Sequence, residues 1–149
     1  MDMSVIVDPC LREIKNQISC DTVGAELGSS ILTRARRSCV EVPTINEDAF
    51  NLDAVADPWW TSQTDSDNMK EVDIRVRNFL WNIRFQNARI IIVVGHSLFF
   101  RRLFKNYSQK KEFGKRKMDN NACVRCEIDF NYEFPIQSAD FVFDTNFKS

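Results

Sequence analysis

The stretch from Arg89 to Phe104, Arg-Ile-Ile-Ile-Val-Val-Gly-His-Ser-Leu-Phe-Phe-Arg-Arg-Leu-Phe, constrains the fold more than any other part of the chain. Ile90 to Val94 is an unbroken β-branched run, too short for a helix of its own. Such a run predicts a strand buried on both faces, as in a parallel sheet. Gly95 ends it. From there the apolar residues Phe99, Phe100, Leu103, Phe104 and Tyr107 recur every three or four positions, the spacing of a helix. The stretch therefore reads as strand, tight turn and helix, with His96 and Ser97 in the turn. In a parallel sheet such a turn lies at the carboxyl ends of the strands, where these folds place ligands. Free amides at the helix start favour an anion there.

The flanking sequence supplies further elements. Ser4 to Val7 predicts a short strand, stopped by Asp8-Pro9, and Leu11-Arg12-Glu13-Ile14 follows. Cys20 to Gly28 reads as loop and Ser29 to Ser38 as a short helix. Glu41 to Gln63 has no sustained period and contains Pro43, Asp57-Pro58 and Trp59-Trp60. It predicts a long surface excursion pinned by aromatics, a kind of loop that is often functional. The clearest helix is Asp67 to Phe85, with Met69, Val72, Val76, Phe79, Leu80 and Ile83 on one stripe and Ser66 or Asp67 as cap. Glu71 with Arg75, and Asp73 with Arg77, are four apart on its outer faces. Arg101 and Arg102 read as the solvated face of the helix after His96. A basic, polar connection then leads to Asn121. Ala122 to Phe130 alternates as a half-exposed strand, and Phe141 to Phe143 is a weaker strand or tail.

A chain of 149 residues has the size of one domain and can bury about 70% of its unfolded surface. Its formal net charge of -1 gives no overall attraction for nucleic acid or an anionic membrane surface. Charge is uneven locally: residues 41–73 carry nine acidic side chains and one lysine, and residues 101–117 carry eight basic side chains and one glutamate. Both runs read as solvated surface or as a field drawing anions toward the helix after His96. No apolar run reaches the ~18 residues of a membrane span, and the start of the chain lacks the pattern of a secretory signal. The five cysteines are odd in number and have no framework spacing. Cys123 and Cys126 have no second pair to complete a zinc site. These features predict a reducing, cytoplasmic setting.

Two enzyme families place chemistry in a turn like Val-Val-Gly-His-Ser. The nucleophile elbow Gly-x-Ser-x-Gly is matched by Gly95-His96-Ser97-Leu98-Phe99 except at its last glycine. Its triad needs a histidine downstream as general base. The chain has one histidine, and it precedes Ser97, so a self-sufficient serine hydrolase of this type is excluded.

The second likeness runs over roughly residues 4–130. Its segments, in order, are Val5 to Pro9 with Leu11-Arg12-Glu13, Asp57-Pro58-Trp59-Trp60, Val76-Arg77-Asn78-Phe79-Leu80, Ile92-Val93-Val94-Gly95-His96-Ser97, and Asn121 to Ile128. Together they resemble the C-terminal portion of the histidine phosphatase superfamily, in its phosphoglycerate-mutase-like branch. The resemblance implies an α/β fold of three layers, a mainly parallel sheet with helices on both faces. It implies phosphoester hydrolysis or phosphoryl transfer through phosphohistidine, with no metal or other cofactor. By that likeness His96 is the family's second histidine, Glu13 the candidate acid, and Ser97 the residue whose amide helps bind phosphate. The implied partners are a phosphorylated small molecule or a phosphoprotein, with no nucleic acid and no membrane.

One departure is large. The family's nucleophile lies in an Arg-His-Gly motif, and no Arg-His-Gly occurs in the sequence. The first, central strand and the early phosphate-binding arginine are missing with it. These gaps predict a single, truncated domain that is inactive as it stands. The alternative is a pseudo-phosphatase that binds a phosphorylated ligand or protein without turning it over. A sheet lacking its central strand also predicts self-association through an open edge.

Overall fold

The computed structural model describes residues 4–15, 30, 33, 37, 47–57 and 66–148. The chain forms two compact units, Met1–Cys10 with Lys15–Asp67, and Leu11–Ile14 with Asn68–Ser149. It mixes helix and strand, as the sequence predicts, in two separate two-stranded sheets among the described residues.

In the first unit, strand β1 (Val5–Ile6) pairs in parallel with β2 (Phe50–Asn51). The Val7 amide extends the ladder by donating to the Asn51 carbonyl at 3.1 Å. The strand expected at Ser4 to Val7 is therefore present and short. The excursion expected from Glu41 to Gln63 is more regular where it is described. It holds β2 and two 3-10 turns, Glu47–Ala49 and Asp53–Val55, the second burying Val55. Ser30, Thr33 and Arg37 are helical, and the rest of the helix read at Ser29 to Ser38 lies outside the described residues. So do Pro58, Trp59 and Trp60.

The second unit begins with helix α1 (Met69–Arg84). Asn68, one residue beyond the expected caps, starts it. Its side-chain oxygen accepts the Lys70 amide at 3.0 Å, satisfying one of the free donors of the first turn. Val72, Val76, Phe79 and Leu80 form the buried stripe, while Met69 at its end is exposed. Helix α2 (Ser97–Tyr107) buries Phe99, Leu103 and Phe104. Phe99 packs edge-on against Phe79 of α1, with ring centroids 5.5 Å apart.

Polar contacts lock the same two helices together. Asp73 accepts from Arg102 Nε and Nη2 at 2.6 Å each and from Asn106 Nδ2 at 2.7 Å. Asp73 is thus a cross-helix anchor, not a partner for Arg77, and Arg102 does not lie on a solvated face. Arg101 likewise turns inward: its Nη2 donates to the Lys115 carbonyl at 2.8 Å, and its Nε is buried without a partner among the described residues.

The segment read as a polar connection contains a helix, α3 (Lys111–Lys115), which buries Phe113. Phe113 is the centre of an aromatic cluster. Its ring lies 5.0 Å from Phe104, 5.1 Å from Phe141 and 5.0 Å from Phe147. Beyond it, β3 (Cys123–Ile128) pairs antiparallel with β4 (Ile136–Val142), from Cys123 opposite Val142 to Ile128 opposite Ile136. The expected alternation holds from Cys123, exposed, to Cys126, half-buried, and breaks at Ile128, which is exposed where the register shifts after Glu127. Burial, with the Asp140 carboxylate adding to it, pushes the Cys126 thiol up to about 11.

Ile90 to Val94 does not form the buried strand its composition predicts. The run has no regular secondary structure and belongs to no ladder among the described residues. Ile90, Ile92 and Val94 are 80%, 81% and 84% exposed, whereas Ile91 is 40% exposed and Val93 half-buried. Val93 alone of the five is half-buried, and the other four are exposed. A β-branched run specifies extended backbone, but a strand also needs a neighbour to bond with, and none is present among the described residues.

Candidate functional site

Each of the three residues singled out in the sequence, Glu13, His96 and Ser97, belongs to the second unit. His96 is the N-cap of α2, with extended backbone at φ -113° and ψ 151°. Its carbonyl accepts the first helical bond, from the Phe100 amide at 3.0 Å. Its side chain makes no capping bond. An α-helix leaves its first amides without partners inside the helix, here those of Ser97, Leu98 and Phe99. The imidazole is exposed beside them and Ser97 is half-buried. Helix α2 carries no acidic residue in its first turn. Positive helix-end potential therefore meets no carboxylate from the helix itself.

Gly95 permits this turn by close approach. A Cβ built there would meet the far end of the Phe100 ring at 2.9 Å and Leu11 Cδ2 at 3.5 Å. The contact also shows that Leu11 is packed against the turn. The residues after it, Arg12 to Ile14, are tied to α1 and α2 through Arg75. The Arg75 Nη1 donates to the Arg12 carbonyl at 3.0 Å, and its guanidinium sits 5.8 Å from the centroid of the Phe99 ring. Arg12 Nη1 in turn donates to the Glu13 carbonyl at 3.1 Å. Two arginines thus accompany the segment that meets the start of α2.

Glu13 is 6% exposed. Its Oε1 accepts the Ile14 amide at 2.8 Å. Among the described residues no hydrogen bond joins its carboxylate to His96 or Ser97. The structure therefore brings the Leu11–Ile14 segment to the His96 turn while the carboxylate is engaged with its own backbone. Burying a carboxylate is costly unless hydrogen bonds compensate, and this one has a backbone donor at ideal length.

The sequence reading missed Arg75 as a member of this neighbourhood, placing it in an outward pair with Glu71. Helical spacing puts Arg75 one turn from Glu71, but it also puts it three residues from Val72, at the border of the buried stripe. That border position was the available signal. Arg12 was visible only as part of Leu-Arg-Glu. Among the described residues, no group of three or more histidine, cysteine or acidic side chains is placed to hold a metal ion. No helix among them is long and apolar enough to cross a membrane. Comparisons of the chain with protein-family models, curated proteins and solved structures found no match.

Proposed function

We propose that the His96 turn binds a phosphoryl anion, and that the chain is a histidine-phosphatase-like domain, catalytically silent as it stands. The observation that carries this reading is the start of α2. Three helix-end amides and an exposed imidazole share one turn, and no acidic side chain of that helix opposes an anion there. The segment Leu11–Ile14, with Arg12, Arg75 and the resemblance to a phosphatase acid segment, is packed against the same turn. In this reading His96 donates to the phosphate and adds a full charge when protonated. The Ser97 amide donates from the helix start, and Glu13 keeps the role of leaving-group acid in the complete family domain. The three-layer, mainly parallel sheet of that family belongs to the same proposal, with Ile90 to Val94 as the strand leading into the turn. The ligand would be a phosphorylated small molecule or phosphoprotein in a reducing, cytoplasmic setting.

A titration with inorganic phosphate or vanadate, followed by the His96 ring resonances, tests the site. The expected affinity is weak, on the order of millimolar. Ring resonances that stay fixed at high ligand concentration, in a sample with dispersed amide signals, would sink the proposal.

A further inference from the structure

We propose that Thr145–Lys148 is a latch over the Phe113 cluster, held shut by its own contacts against a strained turn, and that it opens as a unit while the β3–β4 ladder stays formed. All of it lies within the second unit. The turn runs from Val142 to Thr145 and is closed by the Thr145 amide, which donates to the Val142 carbonyl at 3.3 Å. Its two central residues, Phe143 and Asp144, both have left-handed backbone, at φ 57° and 55°. Hairpin turns of this hand favour Asn-Gly or Asp-Gly, because a Cβ crowds the following carbonyl. Aspartate tolerates the region, but a phenylalanine is out of place in it. Phe143 is 84% exposed, so packing of its ring does not offset the strain. Strain of this kind persists only where the surrounding structure imposes it.

What imposes it is the segment after the turn. The Thr145 hydroxyl accepts the Cys123 amide at 3.0 Å. It lies 2.7 Å from the Val142 carbonyl and 3.1 Å from the Cys123 carbonyl, and its single proton serves one or the other. The Asn146 carbonyl accepts the Asp119 amide at 3.0 Å, and the Lys148 amide donates to the Lys117 carbonyl at 2.8 Å. These two bonds flank an antiparallel bridge between Met118 and Phe147. The Phe147 ring packs 5.0 Å from Phe113 and 4.8 Å from Phe141, and the Arg116 guanidinium covers it at 4.4 Å.

The latch is thus pinned by one hydroxyl, a short bridge and one ring, whereas the ladder beside it runs from Cys123 to Ile128. Segments with few backbone bonds and few packed side chains open at lower free energy than the sheets they adjoin. Opening releases the left-handed pair, bares the Phe113 and Phe141 rings, and leaves the Lys117 carbonyl and Asp119 amide without these partners. Closed, the latch hides an apolar surface; open, it presents one.

Native-state hydrogen exchange of the whole chain in low urea tests the latch. The Asp119 and Lys148 amides should exchange together, faster than the amides of the β3–β4 ladder. Their rates should depend little on urea, because a small opening exposes little surface. The double variant Phe143→Asn, Asp144→Gly relieves the turn and should slow both amides about tenfold. Thr145→Val removes the hydroxyl pin and should speed both by about the same factor. Asp119 and Lys148 amides that exchange only with the rate and urea dependence of the ladder would overturn the proposal. So would a relieved turn that leaves their exchange unchanged or faster. Exchange at Lys148 while Asp119 stays protected also overturns it, since that is the fraying of one residue and not the opening of a latch.

Discussion

Asp73 illustrates how one side chain can take its role from tertiary contact. Helical spacing offers it Arg77, four residues on, but its carboxylate takes two bonds from Arg102 and one from Asn106 across to α2. The choice follows from geometry. A guanidinium fork meets both carboxylate oxygens at once, whereas an exposed four-apart pair is worth only ~0.3–0.5 kcal/mol. The Arg102 hydrogen bonds, followed by those of Asn106 and the Arg102 charge, hold the Asp73 carboxyl below its ordinary value against the opposing effect of burial. The Asp73 side chain is still 40% exposed, so solvent screens the pair. Asp73→Asn should therefore cost only about 1 kcal/mol by urea denaturation at pH 7. The stabilisation belongs to the ionised form. It should be full above the unfolded carboxylate value of ~3.9 and disappear as pH falls through the lower folded value. A wild-type advantage that persists unchanged to pH 2 would show that charge is not its source.

Among the elements, α3 depends most on a residue that ordinary helix statistics disfavour. Gly114 lies inside it, and a Cβ there would sit 2.8 Å from the Lys105 Cα and 2.8 Å from the Lys105 nitrogen, both backbone atoms of α2. Two effects compete in Gly114→Ala. Helix propensity favours alanine by ~1 kcal/mol, while forcing packed backbones apart typically costs ~1–3 kcal/mol. Backbone cannot rotate away as a side-chain tip can, so the clash should win. The expected result is a thermal midpoint lower by several degrees, with Phe113 loosened from its cluster, and an unchanged or higher midpoint would refute it. This element also marks a limit of the sequence. The four-residue apolar period of α1 was legible because it runs over four turns. Helix α3 is five residues long, with one buried apolar side chain inside a basic run, and so has no period to read. Phe113, Phe141 and Phe147 form a cluster only because the chain returns from β4 to α3, a long-range contact that local spacing does not encode. Ile90 to Val94 failed in the opposite direction: its local signal was strong, and the neighbour that would make it a strand is absent among the described residues.

At the scale of the molecule, the turn at Gly95 was the legible part of the site. The change from β-branched run to helical period located the start of α2 within two residues, and with it the unpartnered amides and His96. What lay beyond reach was the company of that turn, since Leu11 and Arg12 come from the far start of the chain and Arg75, from another helix, bonds Arg12 across 63 positions of sequence. The same whole-chain view bears on chemistry. Phosphoryl transfer through phosphohistidine needs one histidine to accept the group and other donors to hold it. This chain has a single histidine, with no other imidazole to share those tasks. Without a covalent acceptor the displacement is not split into two easier steps, and helix-end amides with one imidazole supply only charge stabilisation. Purified protein incubated with an aryl phosphate should therefore release product no faster than the buffer blank across pH 5 to 8, while still binding inorganic phosphate at the turn. His96→Ala should leave that baseline unchanged and weaken phosphate binding as read at the Ser97 and Leu98 amide resonances. Turnover above the blank that is lost in His96→Ala would mean that His96 is itself the acceptor, and the division of roles proposed for Glu13, His96 and Ser97 would have to be redrawn around it.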